Sequence, residues 1–144
     1  MEKKMLTGRC LCGECSYEID GDAIVVAQCY CLDCQRTSGT GHSTGAMFAE
    51  DGVRISGNPA TFSVTSESGN AVTRLFCGTC GSPLFGKNTG MPGFVTVTMG
   101  TLDTSDDLLP QVAIFTRTSM PWDTTSSSVQ SYEAQPSWRP ADPV

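Results

Sequence analysis

Eight cysteines in a chain of 144 residues fall into three short groups, and this spacing constrains the fold more than any other feature. The groups are Cys10-Leu11-Cys12-Gly13-Glu14-Cys15, Cys29-Tyr30-Cys31-Leu32-Asp33-Cys34 and Cys77-Gly78-Thr79-Cys80. Close cysteine pairs that lie far apart in sequence are typical of the two halves of one zinc site. The pattern therefore predicts that a metal ion ties the N-terminal segment to the chain about 65 residues later.

Disulfide bonds are the other use of many cysteines, and they suit secreted proteins. The N-terminal stretch 1–7 carries no apolar segment of the kind that a signal peptide needs. Two cysteines in C-x-C spacing bridge each other poorly, whereas they suit one metal ion well. We therefore expect thiolate-bound metal and a reducing, cytoplasmic location.

The apolar pattern is that of many short β-strands. Apolar runs or period-two alternation predict strands at Ala23–Ala27, Thr61–Thr65, Thr73–Phe76, Phe94–Met99 and Val112–Phe115. Fifteen glycines and eight prolines interrupt these runs at the short intervals that tight turns require. The best candidate for a helical turn is Asp33–Ser38, ended by Gly39. We predict one mainly β domain over residues 1–144, with its core at about 6–132 and an extended C-terminal tail from Ser137.

The charge balance argues against two classes of partner. The formal net charge is −6, with only nine lysines and arginines, and zinc bound by thiolates makes the chain more negative still. Repulsion from phosphates therefore predicts that nucleic acid is not a partner. No apolar run approaches the roughly 20 residues of a membrane span, so a membrane is not expected as a partner either.

The first and third cysteine groups allow two ligand sets for a four-thiolate zinc. Cys12 and Cys15 can join Cys77 and Cys80 and leave Cys10 unused, or Cys10 and Cys12 can join the same pair and leave Cys15 unused. Both sets satisfy tetrahedral thiolate ligation, so the chemistry does not choose between them. Either zinc stabilises the fold, because the assembled site rarely exists in the unfolded chain.

The middle group offers three thiolates, Cys29, Cys31 and Cys34, without an obvious fourth protein ligand. If water or a small-molecule thiol takes the fourth position, the site is open and the zinc acts as a Lewis acid. If the unused cysteine of the first group or another side chain takes it, the site is a second structural zinc. The open site is the interpretation that we prefer.

Several other side chains have two interpretations each. Arg36 and Ser38 follow Cys34 and either contact an anionic ligand or make only local contacts. His42, in a glycine-rich loop, is a base near the second zinc, its fourth ligand or, as we prefer, a plain loop histidine. Ser82 is expected to satisfy a turn amide. Arg117 clamps a carboxylate or, as we prefer, forms a structural ion pair.

The ordered motifs resemble those of the glutathione-dependent formaldehyde-activating enzyme family, whose domain also occurs in centromere protein V. The resemblance rests on Gly8-x-Cys10-x-Cys12-Gly13, Cys29-x-Cys31-x-x-Cys34-x-Arg36-x-Ser38-Gly39 and Phe76-Cys77-x-x-Cys80-Gly81-Ser82. It continues through Gly100-Thr101-Leu102-Asp103, Ile114-Phe115-Thr116-Arg117 and Pro121-Trp122, and so extends from about Leu6 to Tyr132. Tyr30 is a departure, because the family often has histidine at that position.

The resemblance implies a mainly β, Mss4-like fold of short antiparallel strands with two zinc ions per chain. Cys10, Cys12, Cys77 and Cys80 match the family's structural ligands, and Cys15 is then unused. Cys29, Cys31 and Cys34 match its catalytic-type zinc ligands. The implied activity is addition of glutathione to formaldehyde, which in reverse is a carbon–sulfur lyase reaction. The alternative is a non-catalytic interaction module with two structural zinc sites.

Overall fold

The computed structural model describes residues 5–124 and 129–137, and these residues form two β-sheets and one short α-helix. The elements are β1 (Met5–Arg9), β2 (Ser16–Asp20), β3 (Val25–Cys29), α1 (Leu32–Ser38), β4 (Ser43–Ala49), β5 (Val53–Ser56), β6 (Ala60–Thr65), β7 (Ala71–Phe76), β8 (Pro83–Asn88), β9 (Phe94–Thr98), β10 (Val112–Ile114) and β11 (Gln130–Ser131). Three single-turn 3₁₀-helices also occur among these residues, at Glu50–Gly52, Met99–Thr101 and Thr116–Thr118.

The smaller sheet has three antiparallel strands in the order β1-β2-β5. Its strands are short and alternate in burial, so that Leu6, Tyr17 and Ile19 point to one buried face. Alternating apolar and polar residues produce this arrangement because successive side chains of a strand point to opposite faces. The sheet thus supplies one side of the core.

The larger sheet has eight strands in the order β11-β10-β3-β4-β9-β8-β7-β6. Its pairings are antiparallel except at β10, which runs parallel to both β3 and β11. The mainly β prediction is confirmed, and the expectation of antiparallel strands holds for every described pair except those of β10. The local sequence pattern does not indicate strand direction. A short apolar run such as 112–115 has the same periodicity in a parallel strand as in an antiparallel one.

The core lies between the two sheets. From the larger sheet, β4 and β9 contribute Ala46, Phe48, Val95 and Val97, all at most 2% exposed. Across the interface, the ring of Tyr17 meets that of Phe85 edge to face, with centroids 4.9 Å apart.

The opposite side of the larger sheet, which we call the outer face, carries a row of register partners. The row crosses six strands and consists of Val25, Met47, Thr96, Gly86, Arg74 and Phe62. Helix α1 lies on this side, since the Arg74 guanidinium reaches the sulfur of Cys34 within the helix. The outer face therefore carries the second cysteine group.

The predicted elements agree with the structure to within a few residues. Four of the five predicted strands coincide with β6, β7, β9 and β10 apart from one or two end residues. The prediction at Ala23–Ala27 began two residues early, since β3 starts at Val25. The predicted helical turn is α1, which ends at Gly39 with a left-handed φ of 74°. Most of the predicted tail, residues 138–144, lies outside the described residues.

Candidate functional site

Four cysteine sulfurs meet between the β1–β2 turn and the β7–β8 turn. Those of Cys10, Cys12, Cys77 and Cys80 all lie within 4.8 Å of one another. The Sγ–Sγ distance is 3.6 Å between Cys10 and Cys12 and 3.7 Å between Cys12 and Cys77. A tetrahedral zinc with Zn–S bonds of about 2.3 Å requires sulfurs about 3.8 Å apart. The donor set therefore fits zinc, and all eight cysteines are free of disulfides.

Neighbouring donors favour the thiolate form of Cys10 and Cys80 in this group. The Cys15 amide donates to Cys10 Sγ at 3.3 Å and lowers the pKa of that thiol. The Ser82 hydroxyl lies 3.2 Å from Cys80 Sγ, and with the Ser82 amide it lowers the pKa of Cys80 to about 5. The same hydroxyl accepts the Leu11 amide at 3.0 Å, so Ser82 satisfies a backbone amide of the facing turn.

Cys15 belongs to neither sulfur group. It is 3% exposed, and burial raises the pKa of its thiol, with further contributions from Cys77 and Cys10 nearby. Of the two ligand sets that the spacing allowed, the structure brings together the one that contains Cys10. It does not bring Cys15 to the middle group.

The middle group is assembled by the start of α1. Cys29 ends β3, Cys31 is the N-cap of the helix, and Cys34 lies in its first turn. Their three sulfurs also lie within 4.8 Å of one another. Cys31 Sγ accepts the Cys34 amide at 3.3 Å, as an N-cap side chain does, so helix formation itself brings two of the sulfurs together.

Gln35 and Thr118 hold this helix start in place. The Gln35 amide group donates to the carbonyl oxygens of Tyr30, at 2.9 Å, and Thr118, at 3.0 Å. The Thr118 hydroxyl donates to the same Tyr30 carbonyl at 2.8 Å. The peptide between Cys29 and Cys31 is therefore fixed by groups outside the cysteine motif.

The three thiols of the middle group have very different proton affinities. The pKa of Cys34 is lowered to about 2, chiefly by hydrogen bonds from Cys29 and Cys31, with a smaller contribution from the positive charge of Arg74. Hydrogen bonds to Cys31 and Cys34, together with burial, raise the pKa of Cys29. The Arg74 guanidinium lies 3.9 Å from Cys34 Sγ. A divalent cation bound to the three sulfurs would take the place of their protons when the thiols ionise.

The other candidate contact residues, Arg36, Ser38 and Arg117, have different environments in the structure. Arg36 is exposed, and its guanidinium donates to the Leu32 carbonyl of its own helix at 3.5 Å. Ser38 lines the cavity beside the cysteines, and its hydroxyl accepts the Thr40 amide at 3.3 Å. Arg117 pairs with Glu67, as the preferred interpretation of an ion pair predicted.

His42 has a defined environment rather than that of a plain loop histidine. Its Nδ1 lies 2.6 Å from Asp123 Oδ2, and its Nε2 lies 3.4 Å from the Gln28 side-chain nitrogen. The two side chains are only 21% and 17% exposed. A Cβ on Gly41 would overlap the Asp123 carboxylate, so this approach requires glycine. His42 does not lie within 4.8 Å of all three middle sulfurs.

Sequence reasoning missed Arg74 and Asp123 as members of this region. Arg74 is 40 residues from Cys34, and Asp123 is 81 residues from His42. No local pattern marks either side chain, because their positions depend on how distant segments pack. Only the glycine at position 41 was a local signal that another group comes close.

The middle cysteines and His42 line one cavity of about 1050 Å³ that extends along the outer face.

Among the described residues, no helix is long and apolar enough to cross a membrane.

Comparison with known proteins agrees with the geometry. No curated protein matches the chain significantly. A crystal structure of a Rhodobacter sphaeroides protein from a structural genomics programme shares the fold, with a TM-score of 0.55 and 19% sequence identity. The match covers 67% of this chain and 87% of that one. The family profile described as "Glutathione-dependent formaldehyde-activating enzyme" matches residues 5–118. The chain therefore belongs to the glutathione-dependent formaldehyde-activating enzyme family.

Proposed function

We propose that this chain is a zinc-dependent carbon–sulfur lyase-type enzyme that joins a thiol, such as glutathione, to formaldehyde or a related carbonyl compound. The reaction takes place at Cys29, Cys31 and Cys34, and Cys10, Cys12, Cys77 and Cys80 hold a structural zinc. Family membership supports the glutathione-linked reaction class. We propose the cytoplasm as its location, in keeping with free thiols.

The observation that carries the proposal is the difference between the two sulfur groups. One group offers four sulfurs, which is a complete set for a structural zinc. The other offers three sulfurs at the wall of a large cavity, with no fourth His, Cys, Asp or Glu of the described chain close enough to join them. Catalytic zinc sites have this composition, because the remaining position binds water or substrate.

In the proposed reaction the thiol sulfur bonds to the carbonyl carbon, and the thiol proton ends on the carbonyl oxygen. Zinc bound by the three thiolates supplies Lewis acidity. The Arg74 guanidinium lies 3.9 Å from Cys34 Sγ, and its positive charge favours negative charge on the sulfur group.

His42 is the proposed proton carrier for this reaction. The Asp123 carboxylate accepts the Nδ1 proton, so Nε2 is the ring atom that can take up the proton of the incoming thiol. The Gln28 side-chain nitrogen donates toward that atom at 3.4 Å, a long contact that an incoming group can replace.

The test follows metal content and reaction rate on the same sample. Treating the two-zinc protein with a chelator should remove one ion while the protein stays folded, and glutathione should slow that removal. The rate of S-hydroxymethylglutathione formation above the uncatalysed background should fall to zero with that ion and return when zinc is restored. Cys15→Ala is the matched control, since Cys15 lies outside both sulfur groups, and it should keep both ions and the activity. Loss of both ions together with unfolding would instead indicate a non-catalytic module with two structural zincs.

A further inference from the structure

We propose that the carbonyl compound handled by this chain carries an extended apolar group, which lies along the outer face of the eight-stranded sheet while its carbonyl carbon is at the three-cysteine group. The inference deepens the proposed function and rests on it for the chemistry. The apolar binding site itself is inferred from the cavity, independently of the chemistry.

The size of the cavity is the first argument. Its volume of about 1050 Å³ is at the upper end of pockets that hold drug-sized ligands, roughly 300–1,000 Å³. Formaldehyde has one carbon and one oxygen, so the part of this space that the thiol leaves free would stay unfilled. A substrate that buries apolar surface along the cavity gains binding free energy that formaldehyde cannot gain.

The second argument is the composition of the cavity floor. All six members of the outer-face row line the cavity, and Val25, Met47 and Phe62 give it apolar side chains on both sides of its centre. Gly86 lies within the row, between Arg74 and Thr96. A Cβ built on Gly86 would meet no atom within 4 Å, so the missing side chain leaves a depression in the sheet.

The third argument is the position of charge around the cavity. Lys87 and Arg117 also line it, but their side chains are 41% and 46% exposed and pair with Glu50 and Glu67. These cations therefore lie toward solvent, where the carboxylates of glutathione can approach them. Arg74 is the cation beside the cysteine sulfurs. The arrangement suits a ligand with a charged end and an apolar body.

Phe115 adds an aromatic wall that is held at an energetic cost. It is the one non-glycine residue in the described ranges with positive φ, at 57°, and it lines the cavity. Such a conformation is strained for a residue that carries a Cβ. The Thr118 amide fixes it by donating to the Phe115 carbonyl at 3.2 Å.

The reaction with such a substrate balances without a further reactant. The thiol sulfur forms one bond to the aldehyde carbon, and the carbonyl double bond becomes a single bond. The thiol proton moves to the oxygen, and the product is a hemithioacetal with an apolar substituent. Nothing is oxidised or reduced.

The binding test uses straight-chain alcohols from methanol to hexanol, which carry the apolar chain but do not add thiols. In the zinc-loaded protein, the methyl resonance of Met47 reports binding in the cavity. The dissociation constant should fall about fourfold per methylene, since burying one CH₂ gives an effect of this size. A dissociation constant that does not depend on chain length would overturn the inference, even if formaldehyde reacts normally.

Gly86→Leu should abolish the chain-length effect by filling the depression, and Gly86→Ala should reduce it. Thr61→Leu is the matched control, because it adds the same side chain at an exposed position on the other face of β6, next to Phe62. It should leave the effect unchanged. Sedimentation of each variant tests the other possible occupant: a wild-type dimer that Gly86→Leu disrupts would show that a second copy covers this face and would overturn the inference.

The reaction test compares propanal with hexanal, whose carbonyl groups have similar intrinsic reactivity, in the presence of glutathione. The value of kcat/KM should be about sixtyfold higher for hexanal, from three more methylenes at about fourfold each. Equal values would overturn the inference but not the proposed function. Chain-length-dependent alcohol binding without turnover of any aldehyde, formaldehyde included, would overturn the proposed function and support the apolar site.

Discussion

Individual hydrogen-bond donors decide how the cysteine thiols and other titratable groups of this protein behave. Backbone amides and the Ser82 hydroxyl donate to sulfurs of the four-cysteine group, and Arg74 lies beside the three-cysteine group. Each donor or positive charge favours the deprotonated form that binds metal. Tyr17 in β2 shows the opposite effect, because burial favours its neutral form.

Replacing Tyr17 with phenylalanine should make the free energy of unfolding depend less on pH in the alkaline range. Burial raises the pKa of Tyr17 to about 12, and its hydroxyl donates to Thr101 Oγ1 at 2.7 Å. An unfolded tyrosine ionises near pH 10, so between pH 10 and 12 the folded state binds more protons than the unfolded state. The free energy of unfolding should therefore fall by about 2–3 kcal/mol as the pH rises through this range.

Denaturant unfolding from pH 9 to 12 measures this effect. The difference in free energy between wild type and Tyr17→Phe should shrink as the pH rises. If the free energies of unfolding of the two proteins differed by the same amount at every pH from 9 to 12, burial would not be holding the Tyr17 hydroxyl neutral.

Removing the His42–Asp123 pair should impair the proposed reaction without changing metal content. His42→Gln should lower the catalysed rate by about 10²-fold or more, the usual contribution of a positioned acid–base group. Asp123→Asn should also lower the rate and shift its pH profile, since the carboxylate fixes the proton at Nδ1. Asp51→Asn, at an exposed position in the turn after β4, is the control and should change neither. Wild-type rates in both His42 and Asp123 variants would remove the pair from the mechanism.

Helix α1 is the element on which the three-cysteine group depends. It has only seven residues and none of them is buried, so its ends contribute much of what holds it. Cys31 caps the start, and Gly39 ends the helix in a left-handed conformation while its amide donates to the Gln35 carbonyl at 2.9 Å. A metal that binds Cys31 and Cys34 would further stabilise the first turn.

Gly39→Val should loosen the three-cysteine group before it affects the whole fold. A β-branched residue at φ 74° is strained, and the cost is on the order of 1–2 kcal/mol. In protein loaded with zinc, we expect faster dissociation of an ion bound at this group and a smaller change in global unfolding. Gly39→Asn should have a weaker effect, because asparagine tolerates this conformation. Equal zinc dissociation rates in all three proteins would show that the helix end does not support the site.

At the scale of the whole molecule, the four-cysteine group joins the β1–β2 turn of the smaller sheet to the β7–β8 turn of the larger one. Cys77→Ser should therefore lower the free energy of unfolding by several kcal/mol or prevent folding, since metal binding and folding are coupled. Cys31→Ser should abolish the catalysed reaction and leave a folded protein. Circular dichroism and zinc content of the two variants make the comparison. A Cys77→Ser protein with normal stability would contradict the assignment of the four-cysteine group as structural.

Much of the local structure could be predicted from the sequence. The strand periodicity of Phe94–Thr98, the helical turn after Cys31 and its end at Gly39 depend on residues only a few positions apart. The parallel pairing of β10 with β3 could not, because strand direction depends on how the chain crosses between them. The cavity also depends on sheet register, which aligns Met47, Thr96 and Gly86 across strands distant in sequence.

The sequence by itself determined that the cysteines form metal-type groups, that the fold is mainly β, and that the middle group has three thiols. Cysteine spacing left the choice between Cys10 and Cys15 open, and the family resemblance implied Cys10. The tertiary structure places Cys10 in the four-sulfur group and brings Arg74 and Asp123 to the other site. The physical reason is how far apart in sequence the interacting residues lie. Spacing and periodicity record interactions between near neighbours, whereas these contacts exist only after two sheets and their connecting turns have packed together.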